Sequence, residues 1–249
     1  MSAAFPGFEV RTLDVPRASD AGVELLCVTL DFGARLQAQA FAVLSGDERM
    51  SAARFMKYED AMRYAVTRVV LRHALSERIG LPADELQFQR DANGRPRLAS
   101  IKGKKRTLLD FNVSHSGQHV IIGLAVGRRI GVDIEARRPH LDCQTLAATV
   151  LAPREQARVA SLPAHQRADA FYDAWTAKEA LLKALGIGIR SGMIWFSVLG
   201  GTSDEPLIEV LDKRVHGAIA MTTLDAVWFP ASEGYAACAA WSRGTLADC

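Results

Sequence analysis

The sequence has few cysteines, almost no net charge and no long apolar run. Its 249 residues include four cysteines, and because no two of them are spaced as C-x-x-C, a zinc knuckle is not expected. The formal net charge is +2, from 30 basic and 28 acidic residues. The bulk charge therefore gives no reason to expect a nucleic-acid partner.

The sequence also lacks the features of a membrane or secreted protein. Its longest apolar run, around Val120–Val126, has the length of a strand, and a membrane helix needs ~20 such residues. Met1–Val10 contains no basic segment followed by an apolar one, as a signal peptide would. We therefore expect a reduced, cytoplasmic protein with no membrane partner.

The order of predicted elements is similar in the two halves of the chain, and each half runs from a strand through helices to further strands. Because helices and strands are grouped rather than alternating, the predicted fold class is α+β. The join lies near Gly127–Ile130, which predicts subdomains of residues 1–128 and 129–249. The predicted strands are Val23–Phe32, Leu86–Arg90, Arg95–Leu98, Phe111–His115, His119–Val126, Ile130–Glu135, Met193–Leu199, Leu207–Leu211, Ala218–Thr223 and Tyr235–Trp241. The predicted helices are Asp47–Lys57, Glu59–Ile79, Leu141–Leu151, Pro153–Leu162 and Ala164–Leu185.

Two carboxylates alternate with apolar residues in the segment Arg129–Arg138, which reads RIGVDIEARR. On a strand, Val132 and Ile134 lie on one face. Asp133 and Glu135 then lie side by side on the other face, where their like charges repel. A solvated surface with neighbouring arginines is one interpretation. The other is a divalent-metal site, in which a cation such as Mg²⁺ relieves the repulsion.

A lysine lies within an apolar helical stripe in the second half. The stripe comprises Phe171, Ala174, Trp175, Leu181, Leu182 and Leu185. Lys178 falls in its middle, and Glu179 and Lys183 follow its edge. Snorkelling of Lys178 beside a Glu179–Lys183 helical pair is one interpretation. In the other, this helix edge meets the strand that carries the two acids, Glu179 adds a third carboxylate, and the lysines face a bound phosphate.

The segment Phe111–Gly117 (FNVSHSG) alternates as a strand and ends in small polar residues. Neighbouring strand side chains point to opposite faces, so Ser114 and His115 cannot form a nucleophile–base pair. An anion-binding edge, with His115 as a donor to phosphate, fits better than a nucleophile, and a structural histidine is the other interpretation. Upstream, Arg95 follows a predicted turn and offers a planar donor fork for phosphate, although an ordinary hairpin also explains it. The basic segment 101–107 is predicted to be a solvated loop.

Taken in order, these motifs resemble those of the 4′-phosphopantetheinyl transferases. The motifs are G-R-P at Gly94–Pro96, F-N-V-S-H-S at Phe111–Ser116, G-V-D-I-E at Gly131–Glu135 and W-T-A-K-E-A-L-L-K at Trp175–Lys183. Arg54–Arg63 (RFMKYEDAMR) also resembles that family. The length and paired halves resemble the surfactin-synthetase-activating type, in which two similar α/β subdomains pack as a pseudo-twofold dimer in one chain. The resemblance covers most of Ser45–Lys183.

The resemblance implies an enzyme that moves the phosphopantetheine arm of coenzyme A to a serine of an apo acyl or peptidyl carrier protein. The other product would be adenosine 3′,5′-bisphosphate. A monomer is expected, with Mg²⁺ as the cofactor. Two alternatives are a coenzyme A- or carrier-binding module without catalysis and a metal-dependent nuclease. The first would not need three acids, and the second would need a broad basic groove.

The resemblance also implies roles for particular residues. Asp133, Glu135 and Glu179 would hold Mg²⁺, and Lys183 would contact the phosphates and assist the leaving group. The coenzyme A site would include Arg95, Ser114, His115 and Lys178. Family members often carry several basic residues before the R-F motif to bind the 3′-phosphate, and here Arg49, Arg54 and Arg63 share that candidacy. Either Glu179 or a metal-bound water would deprotonate the carrier serine, with Glu155 as a weaker candidate for the base.

Overall fold

A computed structural model describes residues 2–5, 7–34, 41–99, 108–138, 143–188 and 192–244 of the chain. Its strands are β1 (Ser2–Phe5), β2 (Phe8–Thr12), β3 (Val23–Leu30), β4 (Phe88–Arg90), β5 (Pro96–Leu98), β6 (Leu109–Ser116), β7 (His119–Val126), β8 (Ile130–Ala136), β9 (Phe196–Ser197), β10 (Glu209–Val210), β11 (Leu224–Trp228) and β12 (Tyr235–Ser242). Its helices are α1 (Pro16–Asp20), α2 (Gly46–Ala53), α3 (Tyr58–Ile79), α4 (Cys143–Val150), α5 (Pro153–Ser161), α6 (Ala164–Leu185) and α7 (Ala218–Met221). The mixture of grouped strands and helices confirms the α+β class.

The first half is an antiparallel sheet covered by one long helix. Within the described residues the strand order is β1-β2-β3-β7-β6. One face of this sheet packs against α3, and Leu26, Val66 and Ile122 belong to the shared core. Glu48 connects α2 to α3. Its buried carboxylate accepts a hydrogen bond from the Ser45 nitrogen at the start of α2 and forms ion pairs with Arg68 and Arg72 of α3. A small hairpin of β4 and β5 stands beside the sheet.

The second half repeats this plan with fewer strands. Its described sheet has the order β11-β12-β8 and is antiparallel. The helix α6 lies across it, and Ala177, Leu181 and Cys238 are buried in the shared core. The helix ends where Gly186 adopts the left-handed conformation, with φ 74°, which glycine tolerates without a steric penalty. Among the described helices, none has the length and apolar character of a membrane span.

The two halves share a third layer of apolar contacts between their sheets. Val132 and Ile134 of β8 are fully buried there, together with Leu25 and Ile121 of the first sheet. Val132 and Ile134, which were predicted to lie on one face of the strand, therefore share this buried layer. Since strand residues alternate, Asp133 and Glu135 necessarily project from the other face of β8, toward α6.

The strands β6 and β8 lie side by side along what we call the seam between the two halves. Main-chain N–H groups of β8 donate to side chains of β6 there: Ile130 to Asp110, Val132 to Asn112 and Ala136 to Ser116, each at 3.0 Å. The constant offset of 20 residues along these bonds means that the strands run in parallel. Side chains of one edge strand therefore satisfy the backbone donors of the other.

Several predicted elements differ from those of the structure. The segment 218–223, predicted to be a strand, begins with the short helix α7, and the strand β11 follows it. A short apolar run does not carry enough periodicity to separate these two states. The elements β1, β2 and α1 were not predicted. The basic segment 101–107 and the first two residues of the predicted helix Leu141–Leu151 lie outside the described residues.

Replacement of Gly131 by alanine is expected to destabilise the protein by about 3 kcal/mol or more, because α6 crosses β8 at this glycine. A β-carbon there would lie 2.1 Å from the Ala180 carbonyl oxygen and 2.4 Å from the Ala184 nitrogen, and backbone atoms cannot rotate away. Urea unfolding measures the effect. Gly46→Ala is the control, since nothing lies within 4 Å of its added carbon. Equal stability of the two variants would contradict the close approach.

Candidate active site

Four charged side chains from β8 and α6 meet at the seam, and we call Asp133, Glu135, Glu179 and Lys183 the acid–lysine cluster. The Lys183 ammonium lies 2.5 Å from Asp133 Oδ1 and 3.3 Å from Glu179 Oε2. Asp133 is almost fully buried, whereas the Lys183 side chain is 26% exposed. The helix edge predicted to meet the strand therefore does so, and Glu179 joins the acids of β8.

Two serines on one face of β6 hold the acids of β8. Ser114 Oγ donates to Asp133 Oδ1 at 2.7 Å and accepts from Lys183 Nζ at 3.1 Å. Ser116 Oγ donates to Glu135 Oε2 at 3.0 Å. The strand β8 thus carries two acids of the cluster and β6 holds them, so the cluster depends on the packing of both halves.

The electrostatics of the cluster favour a bound cation. Burial raises the pKa of the Glu135 carboxyl to about 7, and the neighbouring Asp133 adds to the increase. Burial opposes the charge on Lys183, but the Asp133 and Glu179 carboxylates outweigh it and raise the pKa of the ammonium. Asp133 Oδ2 is buried and has no hydrogen-bond partner. Such an atom is a ligand position that a cation would satisfy.

No three Asp, Glu, His or Cys side chains in the described part of the chain are arranged as a metal-binding group. The Lys183 ammonium instead lies between Asp133 and Glu179. The chemistry of the donor set still fits a hard cation, because carboxylate oxygens are the ligands that Mg²⁺ prefers. Binding to both Asp133 and Glu179 would require the lysine to leave the space between them.

A cavity of about 790 Å³ opens on the opposite face of β6. His115 lines it, together with Arg63 of α3 and Phe88 of the hairpin. Arg63 also donates to the Gly117 carbonyl oxygen, at 3.2 Å from Nε, which fixes the turn after β6. Burial lowers the pKa of His115, and Arg63 lowers it further. The strand β6 lies between this cavity and the acid–lysine cluster, because His115 and Ser114 project from opposite faces of it.

The three arginines proposed for the 3′-phosphate occupy different places. Arg63 lines the cavity with His115. Arg54 is exposed at the end of α2. Arg49 lies on the other side of α2, where it lines an apolar groove and donates to the Ala42 carbonyl oxygen at 3.0 Å. Arg49 therefore does not share the cavity with Arg63 and His115.

The structure also corrects the expectation that Lys178 lines a coenzyme A site. Its side chain is 0% exposed and pairs with Glu155 at 2.6 Å. The ammonium further donates to the carbonyl oxygens of Met193 and Phe196, at 2.8 and 2.7 Å, so its three protons are used. Glu155 is equally buried and also accepts from the Val198 nitrogen at 2.7 Å. These contacts leave Glu155 without access to a carrier serine, which removes it as a base.

Arg95 is also buried, which leaves its side chain out of reach of a coenzyme A ligand. Its side chain is 7% exposed and forms an ion pair with Asp110 at 2.9 Å. The same guanidinium donates to the main-chain oxygens of Phe111, Ile130 and Lys183. A phosphate would have to replace these buried contacts, so the expectation for Arg95 is corrected.

Sequence reasoning missed three residues that support the site. Asp110 and Asn112 share the face of β6 that carries Ser114, and the alternation D-x-N-x-S-x-S was the available signal. Trp175 was assigned only to the apolar stripe, yet its Nε1 donates to Glu179 Oε1 at 3.0 Å. An indole nitrogen one helical turn before an acid is a pattern that sequence alone offers.

The fold and the site define an α+β protein of two sheet-and-helix halves with the acid–lysine cluster at their junction. Two family models cover most of the chain: 4′-phosphopantetheinyl transferase superfamily at residues 129–240, and 4′-phosphopantetheinyl transferase, N-terminal, at residues 35–126. The chain belongs to the 4′-phosphopantetheinyl transferase superfamily.

Similar proteins carry the same description. The 4′-phosphopantetheinyl transferase HetI of Nostoc sp. is 36% identical over 148 residues, which are 59% of this chain and 62% of that protein. The 4′-phosphopantetheinyl transferase psf-1 of Bacillus pumilus is 29% identical over 182 residues, 73% of this chain and 75% of that protein. The chain thus spans about three fifths of the cyanobacterial relative.

Proposed function

We propose that this protein transfers the 4′-phosphopantetheine arm of coenzyme A to a serine of an apo acyl or peptidyl carrier protein. The observation that supports it most is the acid–lysine cluster at the seam, assembled from Asp133, Glu179 and Lys183. It lies where the two regions that match the family models meet. In the reaction, the serine oxygen bonds to the phosphorus of the arm. The bond from that phosphorus to the leaving oxygen breaks and releases adenosine 3′,5′-bisphosphate.

Asp133, Glu135 and Glu179 are the residues that would hold Mg²⁺. The unpartnered Asp133 Oδ2 and the raised pKa of Glu135 support this assignment. When bound, Mg²⁺ neutralises charge on the diphosphate of coenzyme A. The two serines of β6 keep the acids of β8 in place, because neither carboxylate can rotate without breaking its hydrogen bond to a serine.

Lys183 and Glu179 carry the remaining roles. The Lys183 ammonium, released from between the acids, pairs with the phosphates and stabilises the charge that develops on the leaving oxygen. The Glu179 carboxylate is oriented by Trp175 through Oε1. It accepts the proton of the carrier serine as the oxygen–phosphorus bond forms. Phosphoryl-type transfer needs positioning and charge neutralisation more than a covalent enzyme intermediate.

The cavity beside His115 is the proposed place for the nucleotide of coenzyme A. Arg63 and His115 offer donors for its 3′-phosphate, and the aromatic ring of Phe88 offers an apolar wall. The turn at Gly117 would let the diphosphate pass from this cavity to the acid–lysine cluster. A cytoplasmic monomer that meets its carrier protein transiently completes the proposal.

Product analysis tests the function against its rivals. Chromatography of a mixture with coenzyme A, Mg²⁺ and an apo-carrier should show adenosine 3′,5′-bisphosphate, and a carrier whose acceptor serine is replaced by alanine should yield none. Coenzyme A binding with no product would instead indicate a binding module. Cleavage of a nucleic acid with no such product would indicate a nuclease.

The stabilisation by Mg²⁺ is expected to increase with pH. The folded-state pKa of Glu135 is about 7, raised from the ordinary value of 4.5, so between these values the folded protein binds the proton more tightly than the unfolded chain. Without a divalent cation, this carboxyl makes stability fall as pH rises through that window. Mg²⁺ must displace the proton, so it should raise Tm more at about pH 8 than at about pH 5.5. Thermal unfolding measures this, with NaCl of matched ionic strength as the control. An equal effect of Mg²⁺ at both pH values would contradict it.

A further inference from the structure

The β4–β5 hairpin contacts the end of α6 through two side chains at its tip. Arg95 Nη1 donates to the carbonyl oxygen of Lys183. Asn93 Nδ2 donates to the carbonyl oxygen of Gly186 at 2.6 Å. The last carbonyls of a helix have no partner within the helix, and a cation near them interacts favourably with the helix dipole. The hairpin therefore caps the helix that carries Glu179 and Lys183.

The same arginine also binds the first residue of β8. Arg95 Nη2 donates to the Ile130 carbonyl oxygen at 2.6 Å and to Asp110 Oδ2 at 2.9 Å. Asp110 Oδ2 in turn accepts from the Ile130 nitrogen at 3.0 Å. Both main-chain polar groups of Ile130 are thus held by one ion pair. Ile130 lies three residues before Asp133 on the same strand.

We infer that Arg95 is a positioning residue that sets the register of β8 against α6. One guanidinium joins the backbone of Lys183 to the backbone of Ile130, and so fixes the separation between the Lys183 ammonium and the Asp133 carboxylate. It does this from a buried position, without touching the substrate. The inference deepens the proposed function and rests on it for its effect on catalysis, although its structural part is testable without activity.

Arg95→Lys tests this role, because lysine keeps the charge and loses the planar fork that bridges two elements. We expect kcat to fall by up to about 100-fold, since a misplacement of about 1 Å costs that much. The KM for coenzyme A should change by no more than about twofold, because no substrate contact is lost. Arg214→Lys, which alters an exposed arginine paired with Asp212, is the matched control. A large rise in the KM for coenzyme A at unchanged kcat would overturn the inference and restore Arg95 as a ligand.

Native-state hydrogen exchange provides a measurement that does not depend on activity. In Arg95→Lys, the amides of Ile130 and Gly186 should exchange at least about tenfold faster, because a hydrogen bond to a charged group is lost beside each. The amides of α3 should keep their wild-type rates. Unchanged exchange at Ile130 and Gly186 would overturn the positioning role even if the wild-type protein is an active transferase. Absence of wild-type transfer would instead overturn the proposed function, while the exchange rates still decide the role of Arg95.

Discussion

Glu179→Gln is expected to lower the rate of transfer by about 10³-fold or more and to leave the fold intact. The variant loses the carboxylate that is proposed both as a Mg²⁺ ligand and as the acceptor of the serine proton. The loss of either role alone lowers a rate by about 10²- to 10³-fold. The shape of the side chain is preserved, and an amide oxygen still accepts from Trp175 Nε1, which donates to Glu179 Oε1 in the structure. Lys183 keeps Asp133 as a partner at 2.5 Å.

The rate is measured as the fraction of carrier protein that is modified at successive times. The conditions are those in which the wild-type reaction is complete within the first time points. Glu209→Gln is the control, because this exposed glutamate pairs only with Arg154 among the contacts described for it. Circular dichroism and Tm establish that both variants are folded. Transfer by Glu179→Gln at the wild-type rate would remove Glu179 from the mechanism.

Lys178→Met is expected to destabilise the protein by about 3–5 kcal/mol, because it leaves the Glu155 carboxylate buried and without its counter-charge. Glu155 lies at 1% exposure, and its Lys178 partner joins it to the carbonyl oxygens of Met193 and Phe196. The single ion pair therefore fastens α5, α6 and the segment that leads into β9. Burial lowers the pKa of Lys178, which shows that removing its charge from water costs free energy. Removing one partner of the pair costs more, because the other charge then stays buried and unpaired.

Urea unfolding measures this loss, and a double variant provides the internal control. Glu155→Gln combined with Lys178→Met should be more stable than Lys178→Met alone, since no unpaired charge remains buried. The folded fraction of Lys178→Met should show an unchanged KM for coenzyme A. A raised KM together with wild-type stability would return Lys178 to the coenzyme A site and contradict its buried placement.

Local patterns in the sequence were sufficient to predict the centre of the site. The alternation of Val132, Asp133, Ile134 and Glu135 predicts which residues share a face of the strand, and Val132 and Ile134 are both fully buried. The period of the Trp175–Lys183 segment predicts the helix edge that meets this strand. Both predictions depend on backbone periodicity, which neighbouring residues determine.

The partners of buried charges could not be predicted in the same way. Lys178 and Arg95 are satisfied by main-chain oxygens of residues distant in sequence, such as Phe196 and Ile130. Any carbonyl can accept such a bond, so no residue type signals the partner in advance. A buried cation with a structural role and a cation that binds phosphate therefore give the same sequence pattern, and only the packing of the two halves separates them.

The intact mass of an apo-carrier protein after incubation with this protein, coenzyme A and Mg²⁺ tests the central claim most directly. Transfer predicts a gain equal to one phosphopantetheinyl group on the wild-type carrier. It predicts no gain on a carrier whose acceptor serine is alanine. An unchanged mass for apo-carriers of both the acyl and the peptidyl class, with a folded protein and saturating coenzyme A, would contradict the account.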